Sequence, residues 1–145
     1  MFPIYQLENF LSDEDFKKCL DYSLSIRPQK IIQDKSFSEY IWNNYQEKLK
    51  SINSDWIGLH SDITLSNSSK PIVKHLDQKR NGVKQKLLIY LNDLENGGTI
   101  FYTSDGEILV ENRKNRLVCF DINLHHAGQN FTEGRKISIG FRPKF

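Results

Sequence analysis

The sequence predicts an α+β protein, with helices first and then an antiparallel barrel or sandwich of about eight short strands. Two observations carry this. Apolar residues recur at helical spacing to about residue 51, then at a spacing of two from Asp62 onward. Turn-forming clusters of Asn, Asp, Ser and Gly punctuate the second half roughly every ten residues. A parallel nucleotide-binding sheet is disfavoured, because no helices alternate with these strands and no Gly-rich phosphate turn is present.

The elements follow in order. Phe10 and Leu11 precede Ser12, and Asp15 lies three positions later, an acidic-ended capping box with an apolar residue ahead of it. A helix is expected over 13–25, burying Phe16, Cys19, Leu20 and Leu24, with Pro28 beyond it. Phe37, Tyr40, Ile41, Tyr45 and Leu49 predict a second helix over 38–51, capped by Ser36. Strands are expected over 62–65, 72–76, 86–91, 99–102, 108–110, 116–120, 123–128 and 136–141. Asn67-Ser68-Ser69 reads as a turn, and Gly97-Gly98 as a tight turn needing positive φ. The whole chain, 1–145, reads as one domain, helical over 1–58 and barrel over 59–145.

Composition excludes several classes. Hydrophobic residues at 38% and charged residues at 26% are an ordinary globular balance, not a disordered or collagen-like one. Net charge is only +2, which gives no whole-protein pull toward nucleic acid or an anionic membrane. The longest apolar run, 87–91, is far shorter than the roughly 20 residues of a membrane-spanning helix. No basic start leads into a long apolar stretch, so a soluble, cytoplasmic protein is expected. The richness in Asn, Lys and Ile fits an AT-rich genome, viral or phage among them, in which case the location is the host cytoplasm. Cys19 and Cys119 read as reduced and structural.

The chemistry concentrates in His75-Leu76-Asp77. Side chains two apart on a strand share a face, so one imidazole and one carboxylate can grip one metal ion. A third ligand must come from elsewhere, and His125 and His126 are the candidates. Two His and one carboxylate form a facial triad that leaves open positions on Fe(II). A His-x-Asp pair by itself is more often a plain polar couple.

From about Lys74 onward, further motifs appear in order: Tyr90-Leu91-Asn92-Asp93, Gly97-Gly98-Thr99-Ile100-Phe101, Leu117-Val118-Cys119-Phe120-Asp121, then His126, Gly134 and Lys136. With His75-Leu76-Asp77 at their head, these resemble the Fe(II)/2-oxoglutarate-dependent dioxygenases, in particular the prolyl-4-hydroxylase-like branch. Residues 8–14, Glu-Asn-Phe-Leu-Ser-Asp-Glu, resemble that family's entry into its first helix, whereas 27–56 match it hardly at all. The resemblance implies a double-stranded β-helix (jelly roll) with flanking N-terminal helices. It implies Fe(II), 2-oxoglutarate as co-substrate and O2, with ascorbate as a further candidate. It also implies hydroxylation with release of succinate and CO2; the carboxylate at Asp77 favours this over chlorination.

In the family, the basic residue that holds the co-substrate lies nine or ten positions after the distal His, commonly two after a Gly. His126 with Lys136 and Gly134 satisfies this, while His125 would select Arg135. On the last strand Lys136, Ser138, Gly140 and Arg142 share one face and Arg135, Ile137, Ile139 and Phe141 the other; the polar set suits a wet cavity. His75, Asp77 and His126 are therefore the expected metal ligands and catalytic set. Lys136 is the expected co-substrate anchor, helped by Tyr90 and Ser138, since a lysine is a point charge that gains geometry from hydroxyls. His125 versus His126, and Lys136 versus Arg135, stay open at this level.

Phe101 and Phe120 read as core, Trp42 and Trp56 as core or cavity wall, and His60 has no assignable role. The basic run Lys79, Arg80, Lys84 and Lys86 reads as a solvated face, or as a steering patch for an acidic substrate. The substrate suggested first is a prolyl residue in a peptide or protein. A free amino acid, another small metabolite or a nucleobase are alternatives, nucleic acid being the weakest. A non-catalytic cupin-like metal- or ligand-binding barrel and a metal-dependent isomerase or hydrolase are the competing classes. Oligomeric state is not legible.

Overall fold

The computed structural model describes residues 3–26, 28–77 and 82–145. The order is β1 (Tyr5–Leu7), α1 (Asp13–Leu24), β2 (Gln29–Gln33), α2 (Lys35–Ile52), β3 (Gly58–Leu59), β4 (Asp62–Ser68), β5 (Gln85–Tyr90), β6 (Leu94–Thr103), β7 (Gly106–Asn112), β8 (Leu117–Asp121), β9 (His125–Gly128), β10 (Lys136–Phe141) and β11 (Pro143–Lys144). A six-stranded antiparallel sheet in the order β1-β8-β5-β10-β4-β2 is joined by a three-stranded sheet, β7-β6-β9, and β11 pairs with β3. This is the jelly roll that the sequence predicts. Among the described residues no helix is long and apolar enough to cross a membrane.

Both helices begin on side-chain caps. Ser12 Oγ accepts the Asp15 amide at 3.2 Å, and Asp34 Oδ1 accepts the Phe37 amide at 3.0 Å. The second cap corrects the expectation: α2 starts at Lys35 under Asp34, ahead of Ser36, because a carboxylate is at least as good an acceptor there as a hydroxyl. α1 and α2 pack on the outer side of the large sheet, against β10 and β4. Asp15 ties them together, accepting from Tyr40 Oη at 2.6 Å and Tyr45 Oη at 2.5 Å.

Alternation along the strands divides the apolar residues into two cores. Ile63, Leu65, Leu87, Ile89, Leu117, Cys119, Ile139 and Phe141 face the helices and meet Phe10, Ile41, Leu49 and Trp56. Tyr90, Phe101, Val110, Val118, Phe120 and Leu124 form a smaller core inside the sandwich. Most of the remaining inward positions of the large sheet are polar: Thr64 and Ser66 on β4, Lys86 on β5, and Lys136 and Ser138 on β10, with Leu88 and Gly140 between them. Cys19 and Cys119 are free and buried.

Several expectations need correction. β1, β2, β3 and β11 are additional strands, short or at sheet edges, where a strict two-residue pattern has little length to show itself. Asn67 and Ser68 belong to β4 and do not turn. Residues 72–76 form no strand; the segment is linked to β9 by one bridge, His75 to His126, and by a bond from the Gly128 amide to the Ile72 carbonyl. Gly97 and Gly98 lie within β6 at a register shift, and the positive φ belongs to Asn96, at 59°. Gly98 is needed for closeness instead, since a Cβ there would run into the Val110 carbonyl of β7.

Candidate metal centre

The two histidines are hung on one short antiparallel strip. The His75 amide donates to the His126 carbonyl at 2.9 Å, the His126 amide returns a bond to the His75 carbonyl at 3.0 Å, and the Gly128 amide donates to the Ile72 carbonyl at 2.7 Å. This sets the imidazoles side by side, with ring centroids 4.3 Å apart. His75 Nδ1 lies 2.8 Å from the Val73 carbonyl and His126 Nδ1 3.1 Å from that of Leu124. A carbonyl can only accept, so each Nδ1 carries the proton and each Nε2 lone pair is left to bind a metal. Phe101 and Phe120 wall in the His126 ring at 5.8 and 4.9 Å between centroids.

Both Nε2 atoms face one carboxylate oxygen, Asp77 Oδ1, at 3.4 Å from His75 and 3.5 Å from His126. One donor atom from each of His75, Asp77 and His126 falls within 4.8 Å of the others. Ligand atoms about 2.1 Å from a shared ion and at right angles to each other stand about 3 Å apart, so the spacing and the donor set fit a divalent cation with a face left open. The other oxygen, Asp77 Oδ2, has no well-directed hydrogen bond among the described residues and faces the Lys86 ammonium at 3.4 Å. Burial alone would raise the Asp77 carboxyl; His126, His75 and Lys86 more than reverse this and hold it far below the usual carboxylate range. Asp77 in turn raises the His75 imidazole.

A small cavity of about 50 Å³ lies beside these residues, walled by Thr64, Ser66, Leu88 and Ser138, with Lys86 and Lys136 reaching into it. Lys136 is only 5% exposed. Its ammonium touches the Gly98 carbonyl at 3.3 Å and Thr99 Oγ1 at 3.4 Å, and no acid among the described residues pairs with it. Desolvation lowers it to about 8. Tyr90 is buried beside it, its hydroxyl 2.6 Å from Thr99 Oγ1, and burial pushes that phenol up to about 12. Ser138 lines the same wall.

The alternatives of the sequence thus separate in space. His125 is exposed and stands opposite Tyr102 in the β6–β9 ladder, away from Asp77. Arg135 turns outward and binds Asn67, with 2.7 Å from Nε to Oδ1. Trp56 is core, donating to Gln85 Oε1 at 3.1 Å. The basic run is not a uniform solvated face. Lys79 and Arg80 lie outside the described residues; Lys84 is exposed over the Phe145 ring, whereas Lys86 is buried against Asp77 because its even-numbered place on β5 points inward with Tyr90. Lys86 and Thr99 are site residues that sequence reasoning missed. Parity with Tyr90 on β5 would have found the first, and parity with Phe101 on β6 the second.

Fold and site together define a double-stranded β-helix carrying a two-histidine, one-carboxylate centre. No family model matches the sequence, and no curated protein matches it in sequence. Solved structures do match. A Pseudomonas putida prolyl-4-hydroxylase shares 16% identity at TM-score 0.72, over 99% of this chain and 93% of that one. A viral collagen prolyl hydroxylase of Paramecium bursaria Chlorella virus-1, in a 2OG complex, shares 16% at TM-score 0.71, over 97% and 94%. A Trichoplax adhaerens prolyl hydroxylase, in complex with a hypoxia inducible factor oxygen degradation domain peptide fragment, shares 16% at TM-score 0.69, over 99% and 84%. The chain therefore has the prolyl-4-hydroxylase-like fold of the 2-oxoglutarate/Fe(II) oxygenases.

Proposed function

We propose that this protein is an Fe(II)- and 2-oxoglutarate-dependent dioxygenase that hydroxylates a C–H bond. The observation that carries the reading is a pairing within one cavity. Three convergent donors, His75, Asp77 and His126, the two histidines on the cavity wall, adjoin a buried lysine, Lys136, that no acid pairs among the described residues. A binding barrel has no use for both. Fe(II), when bound with 2-oxoglutarate and O2, supplies the oxidising chemistry that yields succinate and CO2 and inserts oxygen into the substrate.

The residues of the chain position and shield. His75 and His126 present Nε2 lone pairs whose direction is fixed by carbonyls at Nδ1, so the site is preorganised. Asp77 offers Oδ1 on the same side and stays ionised across the physiological range. Lys136 receives the far carboxylate of 2-oxoglutarate, which supplies the counter-charge that its burial demands. Thr99 ties the Tyr90 hydroxyl to the ammonium and fixes where that carboxylate sits, with Ser138 as a further donor from the wall. Phe101 and Phe120 keep the His126 side of the centre dry. Val73, 79% exposed, and Leu76, 41% exposed, flank His75 as an apolar rim. Such a rim suits a peptide, and the likeness to prolyl hydroxylases makes a prolyl residue in a peptide the first substrate class to try.

The test is anaerobic titration of Fe(II) and 2-oxoglutarate into the protein, followed by addition of air and proline-rich peptides with ascorbate present. A weak visible charge-transfer band, then succinate and a gain of one oxygen on the peptide, is the expected result, with Asp77→Ala losing the band and the succinate. A wild-type protein that develops no band and binds no 2-oxoglutarate would refute the assignment.

A further inference from the structure

We propose that Lys86 is a second carboxylate-binding residue of the cavity, at its metal end; this rests on the dioxygenase reading above. In the β5–β10 ladder Tyr90 faces Ser138 and Leu88 faces Gly140. Lys86, two residues before Leu88, therefore enters at the opposite end of the wall from Lys136, two residues before Ser138. The two lysines serve different groups. Space for Lys86 is built into the neighbouring strand: a Cβ on Gly140 would press on Lys86 Cε at 3.1 Å.

Lys86 is 8% exposed and lines the cavity, and its described acid neighbour is Asp77 Oδ2, at 3.4 Å. That carboxylate serves a cation through Oδ1, so it is shared. Arg142, buried on the same inward face, adds positive charge near Lys86. A divalent ion, Lys136, Asp77 and a bound 2-oxoglutarate sum to neutrality, and the charge of Lys86 is left over. A buried cation is kept only where an anion meets it. The shared chemistry is a carboxylate beside the metal. Its source is either the near end of 2-oxoglutarate or an acid group on the molecule that is oxidised.

The experiment measures binding, on protein loaded with Zn(II) so that no turnover intervenes. 2-Oxoglutarate is titrated calorimetrically into wild type, Lys86→Met and Lys86→Arg. N-acetyl-L-proline and its uncharged amide are then titrated into each 2-oxoglutarate complex. If the co-substrate supplies the carboxylate, Lys86→Met weakens 2-oxoglutarate roughly ten- to a hundredfold and Lys86→Arg restores most of it. If the substrate supplies it, 2-oxoglutarate binding is unchanged, and only the acid, not the amide, loses affinity in Lys86→Met. Equal binding of every probe to wild type and Lys86→Met overturns the proposal. Failure of wild type itself to bind 2-oxoglutarate is a different outcome, because it refutes the dioxygenase reading first. Thermal melts accompany each titration, and Gly140→Ala, which displaces the Lys86 side chain without removing it, replaces Lys86→Met if that variant does not fold.

Discussion

Binding of 2-oxoglutarate should weaken with rising pH from about 8 upward, because Lys136 loses its proton there instead of at the ordinary 10.5. The cause is desolvation: the ammonium is buried against a carbonyl and a hydroxyl, with no acid beside it among the described residues. At about 1.4 kcal/mol per pH unit, the displacement corresponds to about 3 kcal/mol of disfavoured charge. A carboxylate arriving at Nζ returns that energy by making the charged form favourable again. Below pH 8 the lysine is already protonated and affinity is flat on its account. Between 8 and 10.5 each complex must take up a proton, so affinity falls about tenfold per pH unit. The same group makes the ligand-free fold gain stability over this window, since the unfolded chain holds the proton that the folded one gives up. Calorimetry at pH 7, 8, 9 and 9.5 in buffers of different ionisation enthalpy reads both the affinity and the proton count. Lys136→Arg, charged throughout, should bind with little slope. A flat profile for wild type, or an equal slope in Lys136→Arg, would refute the reasoning.

Three further predictions test other links. His126→Ala should abolish tight Zn(II) or Co(II) binding while His125→Ala leaves it near wild type, read by metal calorimetry, since His126 and not His125 faces Asp77. Asp15→Ala should cost about 1–3 kcal/mol in urea unfolding by stranding the Tyr40 and Tyr45 hydroxyls between the helices, with metal affinity unchanged. Both thiols should resist an aromatic disulfide reagent until denaturant is added, because burial shields them and pushes Cys19 up to about 12 and Cys119 upward as well.

The sequence was most legible where periodicity and chemistry agree. β10 falls on 136–141 as its alternation predicts, and α1 lies where its capping box puts it. Legibility failed where a neighbouring strand, not local pattern, decides the conformation. Residues 72–76 alternate like a strand, yet only His75 forms a bridge, and beyond it the segment meets β9 through the Gly128 amide on the Ile72 carbonyl, too little for a ladder. Gly97-Gly98 has the composition of a turn, but contact with β7 keeps it extended. Lys86 looked like part of a charged surface until the register of β5 turned it inward. The candidate metal triad was legible as residue types in order, while its closeness in space depends on a strip of hydrogen bonds between residues some fifty positions apart, which no local pattern encodes.

The division of labour on β10 has a consequence for how this chain can vary. Its odd positions, Ile137, Ile139 and Phe141, seal the layer under the helices, and its even ones, Lys136, Ser138 and Gly140, shape the cavity. Deleting or inserting one residue there would swap the two sets, driving a lysine into grease and leucine-like bulk into the cavity at a stroke. Point substitutions can explore either side independently; changes of length cannot, so this strand should tolerate exchange of letters far better than any slip of frame.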